Sequence, residues 1–145
     1  MINSIHKLIK ELIVIEASVT MVKPTFSVEL KSNIVVAKIC GDWDIQTDIA
    51  YLTELDETIA KVRDTKWALF ADLRGWQVSE EVINYKHNKA IQLARHNQQV
   101  ECWLVDNTCQ GSHIQHHIEN SGVAFRKFLI GEEAIDWLQL NGFYF

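Results

Sequence analysis

The chain has a single proline in 145 residues and only six glycines. Flexible linkers and disordered tracts draw heavily on both residue types, so no stretch marks a break between domains. Cysteine is equally sparse. Cys40, Cys102 and Cys109 are an odd set without framework spacing, which disfavours a disulfide-stapled fold and makes a reduced, cytoplasmic chain the simpler expectation. Cations are outnumbered, 14 Lys and Arg against 19 Asp and Glu, for a formal net charge of −5. With no basic stripe to set against phosphate, nucleic-acid binding is not expected. The N-terminal stretch "MINSIHKLIKELIVIEASVTMV" is interrupted by Glu11 and Glu16 and lacks a small-residue cleavage site. It is too short and too charged for integral membrane contact and unlike a signal peptide.

What the chain does have is apolar patterning. Hydrophobic residues make up 48 % and charged residues 23 %, the balance of an ordered globular protein. Residues 1–22 read as an amphipathic extension, because Ile5, Leu8, Ile9, Leu12 and Ile13 fall on one helical face. Such a face could drive a homodimer. Residues 23–145 read as one domain.

From Thr25 the elements alternate. "TFSVEL" and "IVVAKICG" are β-rich runs joined by the polar "KSN", a hairpin pattern, with Gly41 ending the second strand. "DWDIQTD" supplies helix caps, and Leu52, Leu55, Ile59 and Val62 set a helical stripe running to about Arg63. "KWALFADL" is nearly continuous in apolar residues, as a strand buried on both faces would be. Ser79 can cap the next helix, whose first turn carries Glu80 and Glu81 against the helix dipole. That helix is expected to reach about His96, with Ile83, His87, Ala90, Ile91 and Ala94 inward. "QVECWLVDN" is another buried strand. "SHIQHHIENSG" reads as a helix opened by a Ser112–Gln115 capping box and closed by Gly122. "VAFRKFLI" and "GEEAIDWLQLNG" supply the last strand and helix. The order β-β-α-β-α-β-α-β-α predicts an α/β fold: a mixed, mostly parallel sheet with covering helices.

Three stretches carry a family resemblance. "IVVAKICGDWD", "WALFADLRGW" and "FRKFLIGEEAIDWL" resemble the second strand and first-helix entry, the central strand and turn, and the last strand and terminal helix of the STAS domain. The match is to its SpoIIAA-like group of small bacterial proteins, and it spans roughly residues 26–143. The resemblance implies a non-enzymatic regulatory module of the anti-sigma-factor-antagonist kind, which binds another protein such as an anti-sigma or kinase-like regulator. In that family a serine at the start of the second helix, preceded by Asp, is phosphorylated. Here "VSEEVI" occupies the region. An ungapped match from "DL" puts Glu81 on the serine position and Glu80 on the Asp, and Ser79 matches only if the loop is shortened. The implied module therefore lacks the usual switch, and Ser79 is a helix cap first and a phosphorylation candidate second. The same group has been likened to lipid carriers, which leaves a hydrophobic small molecule in a sheet–helix cleft as the alternative ligand.

The expected partner-binding surface combines the "GDWD" turn with "DLRGWQVSEE": Asp42, Trp43, Asp72, Arg74, Trp76, Ser79, Glu80 and Glu81. Trp43 and Trp76 follow strand ends, where each could anchor an interface or pack as a lid over a helix end. Trp67 and Trp103, inside apolar runs, are expected in the core, and Trp137 against the sheet.

No motif argues for catalysis. Cys109, His113, His116 and His117 cluster, but without a second cysteine pair, a carboxylate base or an established ligand spacing, so no metal is expected. His113 and His116 are read as facing solvent and His117 as nearer the inner face. His87 lies between inward-facing residues of its helix, two turns from Ser79, too far along one helix to form a nucleophile–base pair. No nucleophile elbow surrounds any serine. Asp42, Asp44, Asp72 and Asp106 follow strand ends without a glycine-rich phosphate cradle, and capping explains them. No cofactor is expected.

Overall fold

The computed structural model describes residues 22–88 and 93–145, at 86–88 the backbone only. The amphipathic extension therefore lies, save Val22, outside the described residues, as do Ala90, Ile91 and the side chain of His87. The elements are β1 (Thr25–Lys31), β2 (Ile34–Trp43), α1 (Ile45–Ala60), β3 (Trp67–Asp72), β4 (Trp76–Val78), α2 (Glu80–Asn88), β5 (Gln98–Leu104), α3 (Ser112–Glu119), β6 (Ala124–Phe128) and α4 (Gly131–Leu140).

β1 and β2 form the expected hairpin. Ser32 takes φ 54° in the tight turn and Lys31 pairs with Ile34. Every other pairing is parallel, in the order β1-β2-β3-β5-β6, with β4 beside the end of β2. The sheet is thus mixed and mostly parallel. β3 sits at its centre, which is why "WALFAD" is apolar on both faces.

Alternation along the strands divides the core in two. Val35, Ala37, Ile39, Trp67, Leu69, Ala71 and Trp103 point toward α1 and α3, meeting Tyr51, Leu55, Ile59 and Ile118. Ile34, Ala68, Val100 and Cys102 point the other way, onto Ala134 and Leu138 of α4. Trp67 and Trp103 are core, and Trp137 packs on Phe128 with ring centroids 5.8 Å apart. Asp44 caps α1 by accepting from the Thr47 N–H at 2.7 Å. The Thr47 side chain, and then this backbone bond, hold its carboxyl below the usual range.

Four local expectations need correction. The second helix does not reach His96: Leu93, Ala94 and Arg95 are not helical, and Ala94 is exposed. Gly41 does not end β2. It adopts φ 88° inside the strand, donates its N–H to the Gly75 carbonyl at 3.0 Å, and lets β2 run on beside β4. A Cβ at Gly41 would lie 2.3 Å from the Lys23 carbonyl oxygen, so glycine is required there. α3 has no Ser112 capping box: Gly111, at φ 76°, is the N-cap, Ser112 already lies in the helix, and Gln115 donates to Glu119 instead. α1 ends at Ala60, with turns carrying the chain through Val62. Gly122 and Gly142 both take positive φ just past their helices, as expected.

Candidate functional site

The "DLRG" turn is built more rigidly than its sequence suggests. Asp72 closes β3 and is buried, and Arg74 folds back onto it with two guanidinium bonds, Nε to Oδ1 at 3.0 Å and Nη2 to Oδ2 at 2.9 Å. Burial pushes the Asp72 carboxyl up. The side-chain and backbone bonds from Arg74, with the charges of Arg74 and Lys38, outweigh that and hold it below the usual range. Two residues from the β5–α3 connection clamp the turn. Asp106 accepts from the Gly75 N–H at 2.6 Å, and the Gln110 amide donates to the Leu73 and Trp76 carbonyls at 2.6 and 2.9 Å. Arg74 stays exposed, as are Ser79, Glu80 and Glu81 at the start of α2. Ser79 Oγ lies 3.4 Å from the Val82 N–H and its carbonyl accepts from Ile83, the placement of a helix cap.

The two tryptophans do not share that exposure. Trp43 is 3 % and Trp76 4 % exposed, so neither is a surface anchor, and the lid alternative holds for both. Because β2 continues past Gly41 and pairs with β4, Trp43 turns inward against Phe26, Tyr51 and Trp76. Its indole N–H donates to the Cys40 carbonyl at 2.9 Å. Trp76 stacks on His113, centroids 5.6 Å apart, so His113 faces inward and not solvent. Asp42 is occupied structurally, exchanging bonds with the Val22 backbone at 2.8 and 2.9 Å.

Beneath this aromatic cluster lies a cavity of about 370 Å³ between the sheet and the helices. Ile39, Leu69, Ala71 and Trp103 form its floor, and α1 supplies Tyr51, Leu52 and Leu55 as one wall. Ile114, His117 and Ile118 of α3 form the opposite wall, Trp76 closes one end, and Leu93, Arg95 and Ser121 complete the lining.

Two acids interrupt the apolar lining, Asp48 on α1 and Glu101 on β5, at 0 % and 2 % exposure. Glu101 is held by three donors. Arg95 Nη1 reaches Oε1 at 2.7 Å, Gln98 Nε2 the same oxygen at 3.0 Å, and Trp103 Nε1 reaches Oε2 at 2.8 Å. Arg95 Nη1 also donates to Gln98 Oε1 at 2.7 Å. A carboxylate sealed in an apolar wall persists only when its oxygens are bonded, and these are. Burial, with the charges of Glu101 and Asp48, raises the pKa of the Tyr51 hydroxyl against the opposing charge of Arg95, so it stays protonated.

None of Asp48, Tyr51, Arg95, Gln98 or Glu101 stood out in the sequence as a site residue. The available signals were a lone Glu inside a buried-strand run and an Asp on the inner helical stripe one turn before Leu52.

The Cys109–His cluster does not converge. Cys109 is exposed, His113 faces Trp76, and His117 lines the cavity, as its place near the inner face suggested. Among the described residues no group of three or more His, Cys, Asp or Glu is arranged to hold a metal ion, and no helix is long and apolar enough to cross a membrane. Cys40, Cys102 and Cys109 are all free thiols.

No protein-family model matches the chain, and no curated protein matches it in sequence. Among solved structures it is similar to an uncharacterized protein of the DUF3478 family with a SpoIIAA-like fold from Shewanella loihica. That likeness has a TM-score of 0.58 at 13 % identity and covers 79 % of this chain and 93 % of the other. This chain has a SpoIIAA-like fold. An anti-sigma factor antagonist from Mycobacterium paratuberculosis is more distant, with a TM-score of 0.47 at 18 % identity over 81 % of this chain and 95 % of that one. The architecture expected from the three quoted stretches is therefore present, as a single sheet-and-helix domain.

Proposed function

We propose that this SpoIIAA-like domain is a non-enzymatic, cytoplasmic binding protein whose ligand, a small and largely apolar molecule, occupies the space between sheet and helices. The observation that carries this reading is the cavity of about 370 Å³. A volume in that range, mostly apolar with a few placed polar groups, is the usual form of a small-molecule site. The burial of Trp43 and Trp76 favours the same reading, because it moves two aromatic side chains from the surface to the neighbourhood of the cavity. The test is native mass spectrometry of the chain purified from its source cells without organic solvent. Wild type is expected to carry a bound small molecule, and Ala71→Phe, which fills the floor, is expected to lose it. A ligand mass that persists unchanged in Ala71→Phe would place binding elsewhere.

A second reading, a regulatory protein partner at the end of the sheet, rests on a different observation. The turn clamped by Asp106 and Gln110 holds Arg74 exposed and paired to Asp72, and the chain a few residues on exposes Ser79, Glu80 and Glu81. Without surface tryptophans, such an interface would be charged in character and sensitive to salt. Ser79 would serve there as a helix cap, with the two glutamates giving a permanent negative charge in place of a phosphate. Pull-down with wild type against the Arg74→Ala/Glu81→Ala pair tests it. A stoichiometric partner retained by both proteins would exclude this surface.

A further inference from the structure

Polar groups in an apolar cavity report on what the cavity is shaped to hold, provided those already satisfied by the protein are set apart from those that are not. Glu101 is satisfied: three donors occupy its two oxygens. A cationic ligand would have to displace Arg95, Gln98 or Trp103 to reach it, and Asp48, the other acid of the lining, is engaged as well.

Three donor groups are in the opposite condition. The indole N–H of Trp76, at one end of the cavity, is buried with no hydrogen-bond partner among the described residues. The Tyr51 side chain lines the cavity at 7 % exposure, and its hydroxyl has no hydrogen-bond partner among the described residues. Arg95 spends only Nη1 on Gln98 and Glu101, which leaves Nε and Nη2 without a partner among the described residues on a side chain 20 % exposed along the lining. Unused donors in a lining whose two acids are already engaged call for an acceptor brought by the ligand. The charge of that acceptor follows from the same geometry. Arg95 is already neutralised by Glu101 at 2.7 Å, so an anionic headgroup would have to share the guanidinium with a fixed carboxylate.

Resting on the reading of this cavity as a ligand site, we propose that it selects a neutral apolar molecule bearing a carbonyl-type acceptor, a ketone, ester or amide, whose oxygen takes the Tyr51 hydroxyl and the open edge of Arg95. The apolar body fills the space over Leu69 and Ala71. The carbonyl sets its orientation. Tyr51 and Arg95 are then the residues that determine specificity, while the leucines and isoleucines supply affinity without discrimination.

A matched set of probes tests this on the full chain: 1-acetylnaphthalene, 1-ethylnaphthalene, 1-naphthoate and 1-naphthylmethylamine. They share one ring system and differ in the group offered to Tyr51 and Arg95. Dissociation constants are read from the shifts of cavity methyl resonances, including those of Ile39, Leu55 and Ile118. The acetyl compound is expected to bind about tenfold more tightly than the ethyl compound, the worth of one well-placed hydrogen bond. Tyr51→Phe should cut that ratio to about twofold or less while leaving the ethyl compound's constant unchanged, a split that general loss of structure would not produce. Equal binding of the acetyl and ethyl compounds overturns the proposal and leaves the cavity as an apolar site without polar selection. Tightest binding by the naphthoate or the amine overturns it in favour of an ionic ligand. If none of the four shifts the cavity methyls, the ligand-site reading itself fails and this inference with it.

Discussion

Arg95 stands between structure and binding at the cavity wall. One nitrogen holds Glu101 and Gln98, and the side chain is part of the cavity lining. Removing it leaves Glu101 buried without its cation, and breaking a buried pair in this way costs about 3 kcal/mol or more. Arg95→Met is therefore expected to lose about 3 kcal/mol in a urea unfolding experiment. Tyr51→Phe deletes a hydroxyl with no partner among the described residues and is expected to stay within about 0.5 kcal/mol of wild type. Asp72 adds a pH dependence whose sign follows from its environment. Its folded pKa is depressed below the ordinary 3.8 by Arg74. The carboxylate's contribution is thus present above that value and lost as pH falls through the lower folded value. Thermal melts of wild type and Asp72→Asn are expected to differ most at neutral pH and to converge on acidification below about pH 4. A gap that widens toward acid would contradict the assigned pair.

At the scale of elements, the stretch from Lys38 to Val78 decides how the cavity is closed. β2 runs past Gly41 only because glycine tolerates φ 88° there and leaves room for the Lys23 carbonyl, and that continuation gives β4 a partner and turns Trp43 and Trp76 inward. Gly41→Ala combines an unfavourable backbone conformation with a backbone clash, each worth about 1–2 kcal/mol, so a loss of about 2–4 kcal/mol is expected in denaturant unfolding. The same region marks where the sequence stops being readable. "WALFAD" announced a central strand through its two-sided apolarity, and Leu52, Leu55 and Ile59 announced α1 through their period. β4 is three residues long, too short for any periodicity to register. A glycine after a strand run reads as its end, whereas here it is the bend that prolongs it. Asp48 and Glu101 were illegible for another reason. Charged residues usually mark surface, and the partners that let Glu101 be buried, Arg95, Gln98 and Trp103, lie close by in the chain but follow no helix or strand period.

At the scale of the whole molecule, the sheet divides its duties. One face packs against α4 through a cluster of Ile34, Val100, Cys102, Ala134 and Leu138. The other face, under α1 and α3, is where the packing opens to about 370 Å³ and where Asp48, Glu101, Arg95 and Tyr51 gather. A domain that only needed stability would gain from closing that space, since voids cost dispersion contacts and invite collapse. Its retention on one face, with unused donors in the lining, is what makes a binding role the better account of this fold. The measurement that bears on this most directly is a methyl NMR titration of the full chain under xenon pressure, because xenon enters apolar cavities without chemical selectivity. The account predicts saturable shifts at Ile39, Leu52, Leu55, Leu69, Ile114 and Ile118, with the Ala68, Ala134 and Leu138 methyls of the opposite face unmoved. Shifts that are absent, or spread evenly over both faces of the sheet, would contradict it.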